Sequence, residues 1–363
     1  QMRNLEISKW FTGLLILCVG VLVVGTDLPS QNGSRYNKHV VGEDMYETGF
    51  YQSIGLQNSG KPLYSKHSKY QQIDVYQTSH YGKILVLDNV VQLTERDADA
   101  YNEMMSHISM MEHANPSKVL VIGGGDGYIV SEVLKHESVA QVDHVDLDGE
   151  VVEVCKEYFP NLGKRAWKEV ERGADGMVNL RIDDGAKFVR NEATAEFYDV
   201  IIQDSSDAET WDAEGNVITL PSSVLYSSEY FSDVYRILGP AGVFIFVADT
   251  FNIPSCVDDI RKWRRDLINA GFLSCSYGSI TISSYATGQI GFLMCRKSEH
   301  DIISHKKLVQ NRYDRMVERG LETSYYHPKL QESCFDLPLW VEKSIYVSDD
   351  ESNFLSGSNK EEL

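Results

Sequence analysis

The stretch that follows Tyr70 consists of short apolar runs separated by turn signals. Polar and apolar side chains alternate in the first run, and polar or glycine residues separate it from the next two. The three runs cover residues 72–77, 84–87 and 90–93. Such strand–turn repeats are typical of antiparallel hairpins, so the sequence predicts a small antiparallel β-domain in this part of the chain.

The period then changes to that of a helix over residues 97–113, where Tyr101, Met104 and Ile108 recur at helical spacing. From Lys118 onwards, short apolar strands alternate with helical stretches, which is typical of a parallel α/β sheet. The predicted strands are 118–122, 142–146, 178–182, 198–202 and 242–247. The predicted helices are 128–136, 150–158, 228–238 and 256–270, and a terminal hairpin follows them.

The N-terminal region contains an uncharged apolar run at residues 11–24. It has about the length of a signal-peptide core and is shorter than the ~20 residues of a membrane-spanning helix. We therefore predict a signal peptide first, an uncleaved membrane anchor second and a buried helix third. The chain begins Gln1-Met2, so its natural start is Met2 or lies outside this sequence.

The composition restricts the classes of partner. The chain has 34 basic and 53 acidic side chains and a formal net charge of −19. Nucleic-acid binding needs stripes of Lys and Arg, so no nucleic-acid partner is expected, whereas a cationic substrate is compatible with this charge. The six cysteines are far apart and form no CxxC pair. We therefore expect buried thiols rather than a disulfide framework, and no zinc site.

Acidic residues follow most of the predicted strands. The first strand ends in the glycine loop of Gly123, Gly125 and Gly127, the second in Asp146, and the third in Asp183-Asp184. Ligands of open α/β sheets bind beyond the carboxyl ends of the strands. Glycines permit close backbone approach, an acid about twenty residues later can hold ribose hydroxyls, and another acid can face adenine. Together they predict a nucleoside site; the alternative is that these acids are helix caps and turn residues.

Asp126 inside the glycine loop argues against a dinucleotide, because its carboxylate would repel a pyrophosphate. The same carboxylate could pair with an ammonium group. Asp126, Asp204 and Asp207 around one pocket suit a doubly cationic donor, such as decarboxylated S-adenosylmethionine, and a polycationic acceptor.

In these motifs the chain resembles the spermidine synthase family of polyamine aminopropyltransferases. The matching stretches run in order over about residues 68–300, and a family-like closing segment follows at 325–340. They are SKYQQI (68–73), YGKILVLDNVVQLTERDADAYNEM (81–104), NPSKVLVIGGGDG (115–127), SEVLKH (131–136), HVDLD (144–148), DDGAKF (183–188), YDVIIQDSSD (198–207) and GQIGF (288–292).

The resemblance implies an α/β fold with a Rossmann-like, methyltransferase-type doubly wound sheet and a small N-terminal antiparallel β-domain. It also implies a homodimer and transfer of an aminopropyl group to an amine, with no cofactor besides the co-substrate and no metal. The expected domains are 1–25 (signal peptide or anchor), 26–45 (linker), 46–103 (β-hairpin domain), 104–345 (Rossmann-like domain) and 346–363 (acidic disordered tail).

The resemblance also implies roles for individual residues. Asp204 would be the base at the attacking nitrogen, with Tyr101 beside it. Donor-binding residues would be Gln71, Gly123, Gly125, Asp126 for the amino group, Gly127, Asp146 for the ribose and Asp184 for adenine. Acceptor-binding residues would be Gln92, Asp207 and Tyr285.

Several departures from the family pattern lie on the acceptor side. The segment after Asp207 is longer than usual, and the usual Gln-x-Glu after the fifth strand is Val247-Ala248-Asp249. We expect putrescine as acceptor because both acids of DSSD remain. A longer polyamine that yields spermine or thermospermine is the main alternative. An S-adenosylmethionine-dependent methyltransferase and a non-catalytic polyamine-binding protein are the rivals from other classes.

The two ends of the chain predict a compartment. The last four residues, KEEL, resemble an endoplasmic-reticulum retention signal, and Asn32 begins the glycosylation sequon Asn-Gly-Ser. With the apolar run, these signals predict an enzyme of the endoplasmic-reticulum lumen or secretory pathway, anchored to the membrane through residues 11–24 if that run is not cleaved. A cytoplasmic enzyme is the alternative.

Overall fold

The structure is a computed structural model that describes residues 39–44, 51–206, 209–211, 217–298 and 302–346. The apolar run at 11–24, Asn32, Asp207, the acidic tail and the KEEL terminus lie outside the described residues. Among the helices that are described, none is long and apolar enough to cross a lipid bilayer.

The N-terminal part contains a two-stranded hairpin followed by a four-stranded antiparallel sheet. The hairpin strands are β1 (Val40–Asp44) and β2 (Tyr51–Gly55). The sheet, in the order β3-β4-β5-β6, consists of β3 (Tyr64–His67), β4 (Gln72–Gln77), β5 (Lys83–Leu87) and β6 (Val90–Thr94). We call these four strands the small sheet. Its β4–β6 strands are the predicted runs, and Ile73, Val75 and Leu85 bury their side chains against the larger domain.

A seven-stranded sheet with the order β14-β15-β13-β10-β7-β8-β9 forms the larger domain. Strands β13 to β9 in this order are mutually parallel, whereas β15 and β14 run antiparallel at one edge. The strands are β7 (Lys118–Gly123), β8 (Gln141–Asp146), β9 (Val178–Ile182), β10 (Tyr198–Asp204), β13 (Leu238–Val247), β14 (Ser274–Thr281) and β15 (Gln289–Arg296). A short hairpin, β11 (Glu209–Trp211) with β12 (Val217–Thr219), follows β10.

Helices cover both faces of this sheet. They are α1 (Ala98–Glu112), α2 (Tyr128–Val133), α3 (Gly149–Tyr158), α4 (Lys164–Glu171), α5 (Gly185–Asn191), α6 (Ser228–Ile237), α7 (Pro254–Ala270), α8 (Ile302–Glu318), α9 (Pro328–Ser333) and α10 (Leu339–Tyr346). Alternate residues of β7 enter opposite cores: Val119 and Val121 pack with α1 and α2, whereas Leu120 and Ile122 pack with α6 and α7. Burial on both faces explains why this strand is apolar throughout.

The predicted α/β class and doubly wound sheet are therefore confirmed. The boundary that we predicted between residues 103 and 104 falls within α1, which packs in the core of the larger domain. Strand β13 begins at Leu238, earlier than predicted, because the chain continues through Gly239-Pro240 as an irregular stretch of strand before it pairs again at Val243.

The cysteine expectation was wrong for one pair. Cys275 and Cys295 are directly opposite each other on β14 and β15 and form a disulfide. Cysteines twenty positions apart in sequence become neighbours only when the two strands pair, so the spacing alone did not indicate this bond. Cys155, Cys256 and Cys334 are buried thiols outside any disulfide of the described residues, as expected.

Candidate active site

Three neighbouring strands bring the predicted donor-binding acids and the predicted base to one edge of the sheet. Strand β7 lies between β8 and β10, and all three are parallel. Their carboxyl ends therefore place the glycine loop after β7, Asp146 at the end of β8 and Asp204 at the end of β10 side by side.

The glycine loop turns so tightly that side chains do not fit. Gly123 has a φ of +78°, and a Cβ there would lie 1.9 Å from the carbonyl oxygen of Asp204. That carbonyl accepts the backbone N–H of Gly124 at 3.0 Å. His144, beneath the loop on β8, donates through Nε2 to the carbonyl of Gly123 at 2.9 Å. Burial lowers the pKa of His144 to about 4, so the ring is neutral and holds the loop without adding charge.

Asp126 and Asp146 flank this loop as two desolvated carboxyl groups. Asp126 Oδ1 accepts the backbone N–H of Tyr128 at 2.7 Å, and Asp146 Oδ1 accepts that of Asp148 at 2.8 Å. Burial raises the pKa of each carboxyl to about 6, although these hydrogen bonds oppose the shift. The site is therefore prepared for cationic groups that would stabilise the ionised forms.

Asp204 is coupled to Tyr101 from helix α1. The Tyr101 hydroxyl donates to Asp204 Oδ1 at 2.8 Å. Burial, followed by the charge of Asp126, raises the pKa of Asp204 to about 7, whereas the hydrogen bond from Tyr101 lowers it. Burial and the Asp204 charge raise the pKa of Tyr101 well above its usual value, so its hydroxyl stays a donor. The other oxygen, Oδ2, lies over Gly124, where a Cβ would be 3.1 Å away.

Gln71 reaches the donor side from the small sheet. Its Nε2 donates to Asp148 Oδ2 at 3.1 Å, and Ser68 Oγ donates to the same oxygen at 2.6 Å. Asp148 is buried and caps α3 by accepting the N–H of Glu150 at 3.0 Å. Asp148 lies in the HVDLD motif, but no role was predicted for it; its position two residues beyond the end of β8 is the sequence signal that could have indicated one.

Asp184 lies at the carboxyl end of β9, next to Asp146. Its neighbour Asp183 donates its backbone N–H to the carbonyl of Asp146 at 3.0 Å. The exposed Asp184 side chain caps α5, because its Oδ1 accepts the N–H of Lys187 at 3.0 Å. The helix cap that was the alternative to an adenine contact is therefore present, and it uses only one of the two carboxylate oxygens of Asp184.

The acceptor-side residues are more dispersed. The Tyr285 hydroxyl donates to Asp249 Oδ1 at 2.8 Å. Gln92 lies on β6 with an exposed side chain, and in the described structure no hydrogen bond joins it to Asp204 or Tyr285. Asp249 follows β13 with a φ of +54° and was noted in the sequence only as a departure. The rule that acids at strand ends mark the site would have found it.

Within the described residues, no group of three or more His, Cys, Asp or Glu side chains is arranged to hold a metal ion.

Comparisons with known proteins place this geometry in a family. Residues 98–306 match the model of the spermine/spermidine synthase domain, and residues 60–95 match that of the spermidine synthase tetramerisation domain. The chain belongs to the spermine/spermidine synthase family. It is therefore an aminopropyltransferase of polyamine biosynthesis, and the methyltransferase and non-catalytic alternatives are set aside. The match over the small sheet also indicates that this enzyme forms oligomers.

Relatives extend along most of the chain. Spermidine synthase 2 of Arabidopsis thaliana is 36% identical over 78% of this chain and 78% of its own length. A spermine synthase of Saccharomyces cerevisiae is 32% identical over 78% of this chain and 88% of its own. The crystal structure of the Thermotoga maritima spermidine synthase has 25% identity and a TM-score of 0.72, covering 89% of this chain and 99% of that chain. A spermidine synthase in complex with the transition-state analogue AdoDATO gives a TM-score of 0.73 at 25% identity.

Proposed function

We propose that this aminopropyltransferase transfers the aminopropyl group of decarboxylated S-adenosylmethionine to putrescine, giving spermidine and 5′-methylthioadenosine. The observation that carries this proposal is the meeting of Asp126, Asp146 and Asp204 at one sheet edge, each with a raised pKa. A desolvated acidic site of this kind needs cationic ligands, and both the donor and the acceptor are cations.

In the proposed reaction Asp204 is the base. The attacking amine has a pKa of about 10 in water and is nucleophilic only after it loses a proton. Tyr101 occupies Oδ1 of Asp204, so Oδ2 is left to accept that proton beside the glycine loop. The nitrogen lone pair forms the new C–N bond as the C–S bond of the sulfonium breaks, and the sulfur leaves as the neutral thioether of 5′-methylthioadenosine. Holding both substrates in line supplies much of the remaining rate.

On the donor side, Asp126 would pair with the ammonium group and Asp146 would accept the ribose hydroxyls. Gln71 would hold the donor while Asp148 orients its amide. Gly123, Gly125 and Gly127 would let the backbone approach the donor, and Asp184 would face adenine through Oδ2, the oxygen not used in the cap.

On the acceptor side, we propose that Asp249 and Tyr285 form the site for the distal ammonium group. Their hydrogen bond supports this role because it holds a carboxylate at the end of the strand beside β10. Gln92 and Asp207 remain predicted acceptor ligands.

A longer polyamine is the second candidate acceptor. The match to a Saccharomyces cerevisiae spermine synthase favours it, as do the departures around Asp249. An acceptor panel decides between the two: the purified enzyme is incubated with decarboxylated S-adenosylmethionine and either putrescine, spermidine or cadaverine, and products are identified by mass spectrometry. Spermidine formation with the highest kcat/KM for putrescine is expected. A higher kcat/KM for spermidine would show that spermidine, and not putrescine, is the acceptor. If no amine led to release of methylthioadenosine, the proposed aminopropyl transfer would be wrong.

We also propose that the enzyme resides in the endoplasmic-reticulum lumen. The terminal signals support this location, and so does the Cys275–Cys295 disulfide, since disulfides persist in oxidising compartments. Fractionation of cells that express the chain with an internal tag, combined with glycosidase treatment at Asn32, tests the proposal. A cytosolic, unglycosylated protein with an intact N-terminus would contradict it.

The expected homodimer is checked by the solution mass of the purified enzyme.

A further inference from the structure

The loop between β14 and β15 (residues 282–288, the β14–β15 loop) carries Tyr285. Backbone bonds close this loop on itself: Ile282 donates to the carbonyl of Gly288 at 3.1 Å, and Gly288 donates to that of Tyr285 at 2.7 Å. These bonds determine the shape of the loop. Contacts with other parts of the molecule must determine where the loop, and with it Tyr285, lies relative to Asp249.

The Thr287 hydroxyl donates to the Thr250 hydroxyl at 3.1 Å, next to Asp249, and Asp97 supplies most of the side-chain contacts at the other end of the loop. Its Oδ2 accepts the Ser283 hydroxyl and the Ser284 backbone N–H, both at 2.8 Å. Its Oδ1 accepts the Ser284 hydroxyl at 3.0 Å and the Thr94 hydroxyl at 2.5 Å. Both carboxylate oxygens are therefore engaged, and three of the four bonds go to a segment nearly two hundred residues away.

The position of Asp97 in its own element makes this arrangement notable. Asp97 occupies the N-cap of α1, where an aspartate normally accepts a backbone N–H of the first helical turn. Here the side chain makes no such bond. The carboxylate is turned to the β14–β15 loop instead, so its interactions serve the loop rather than the helix that it precedes.

The small sheet adds a further contact to the same loop. The hydroxyl of Tyr81, in the turn between β4 and β5, donates to the carbonyl of Ser283 at 2.8 Å. The loop is thus held by one residue that precedes β6 along the chain, Tyr81, and by one that follows it, Asp97. The donor-site acids Asp126 and Asp146 follow β7 and end β8 instead.

We propose that Asp97 is a positioning residue for the acceptor: it clamps the β14–β15 loop so that Tyr285 meets Asp249 and completes the site for the distal ammonium group. This inference rests on the proposed acceptor role of Tyr285 and Asp249. Hydrogen bonds to a carboxylate are stronger than neutral ones, so their loss shifts the loop away from the binding-competent position. The apparent affinity for the acceptor then falls in proportion to the fraction of enzyme molecules whose loop is in the binding-competent position, whereas the affinity for the donor does not change.

The first test is the KM of each substrate in Asp97→Asn. Asn is nearly isosteric and is also a good N-cap, but it carries no charge and has one acceptor oxygen in place of two. We expect the KM for putrescine, or for the amine selected by the panel, to rise about tenfold while the KM for the donor stays within about twofold. Glu95→Gln is the matched control, because Glu95 binds only Lys83 among the hydrogen bonds and ion pairs of the described residues. An unchanged acceptor KM, or an equal rise in both KM values, would overturn the proposal.

A double-mutant cycle with Tyr285→Phe asks whether Asp97 acts through Tyr285. If it does, Asp97→Asn has a clearly smaller effect on acceptor KM in the Tyr285→Phe background than in the wild type. Fully additive effects would show that Asp97 acts elsewhere.

Hydrogen exchange gives a readout that is independent of turnover. In Asp97→Asn we expect faster amide exchange in residues 282–288, Ser284 above all, with unchanged exchange in β7 and β8. Unaltered exchange of the loop would refute the clamp even if the enzyme is active. Faster loop exchange in a protein that aminopropylates no amine would instead refute the proposed reaction and leave the clamp intact.

Discussion

At the level of single residues, the carboxyl groups of the candidate site share one electrostatic condition. Asp126, Asp146 and Asp204 are all buried; the charge of Asp126 opposes ionisation of Asp146 and Asp204, and that of Asp146 opposes ionisation of Asp204. A cationic ligand removes this penalty when it binds. The residues therefore act as a set whose protonation is linked to occupancy of the site.

Asp204→Asn should separate chemistry from binding. The amide cannot accept a proton, so we expect kcat to fall by about 10²–10⁴-fold while calorimetry still detects donor binding. Asp233→Asn, which weakens the ion pairs of Asp233 with Arg190 and Arg236 on α5 and α6, is the control and should keep wild-type activity. Near-normal turnover in Asp204→Asn would remove Asp204 from the role of base.

The pH dependence of the wild type should contain the same group. Because the pKa of Asp204 is about 7 in the free enzyme, the acceptor kcat/KM should decrease as the pH falls through that value. Protonated Asp204 cannot take the proton of the amine, which gives the sign. The profile is measured in ~0.1 M buffers of constant ionic strength, so that screening of charges does not change with pH. An acceptor kcat/KM that stays constant between pH 6 and pH 8 would argue against this assignment.

Asp126→Asn should make the unliganded enzyme more stable and weaken its binding of the donor. The folded-state pKa of Asp126 is raised to about 6, so its stabilising contribution is present at acidic pH and is lost as the pH rises through that value. At pH 8 the neutral amide should therefore stabilise the unliganded enzyme by up to about 3 kcal/mol and raise the donor KM strongly. Chemical denaturation at two pH values and donor kinetics measure both effects. A variant that is less stable at pH 8 yet binds the donor normally would refute the prediction.

At the level of elements, the glycine loop depends on close approach as well as on backbone freedom. Gly123→Ala should cost well over 2 kcal/mol of folding stability or abolish donor binding, because its Cβ would overlap the Asp204 carbonyl. Gly173→Ala is the matched control: its φ is +58° but no atom lies within 4 Å of a Cβ, so only the strain of about 1–2 kcal/mol applies. Equal losses of stability in the two variants would show that conformation alone matters.

Element prediction succeeded where a pattern was local. Strand β9 and helix α1 match their predicted ranges closely, because apolar residues recur at the period of a strand in the first and at that of a helix in the second. Helix α4 was missed: its few apolar residues lie between Lys and Arg side chains, and only Ala166 and Trp167 are buried. Helices α5 and α10 were missed as well, and so were helices α8 and α9. The segment between them is held by Glu103, whose carboxylate accepts the N–H groups of residues 324–326, and no sequence period reports such a bond.

At the level of the whole molecule, the negative charge should assist the capture of a polycation. Attraction between exposed charges is screened over about 10 Å at 0.1 M salt, so the acceptor KM should rise as sodium chloride is increased at constant pH. The KM for a mono-amine acceptor analogue, which carries less charge, should rise less. KM values that do not change with salt for either amine would show that the surface charge does not contribute and that only the buried acids attract the acceptor.

The sequence by itself determined the α/β class, the small antiparallel sheet and the acids at the ends of β7, β8 and β10, because periodicity and strand-end position are local properties of the chain. It also indicated the family through its motifs. The family resemblance placed Tyr101 beside Asp204, but only the tertiary structure showed the hydrogen bond between them, the pairing of Cys275 with Cys295 and the turn of Asp97 from its helix to the β14–β15 loop. Each of these contacts joins residues that are distant in sequence, and the pairing of strands and packing of helices bring them together.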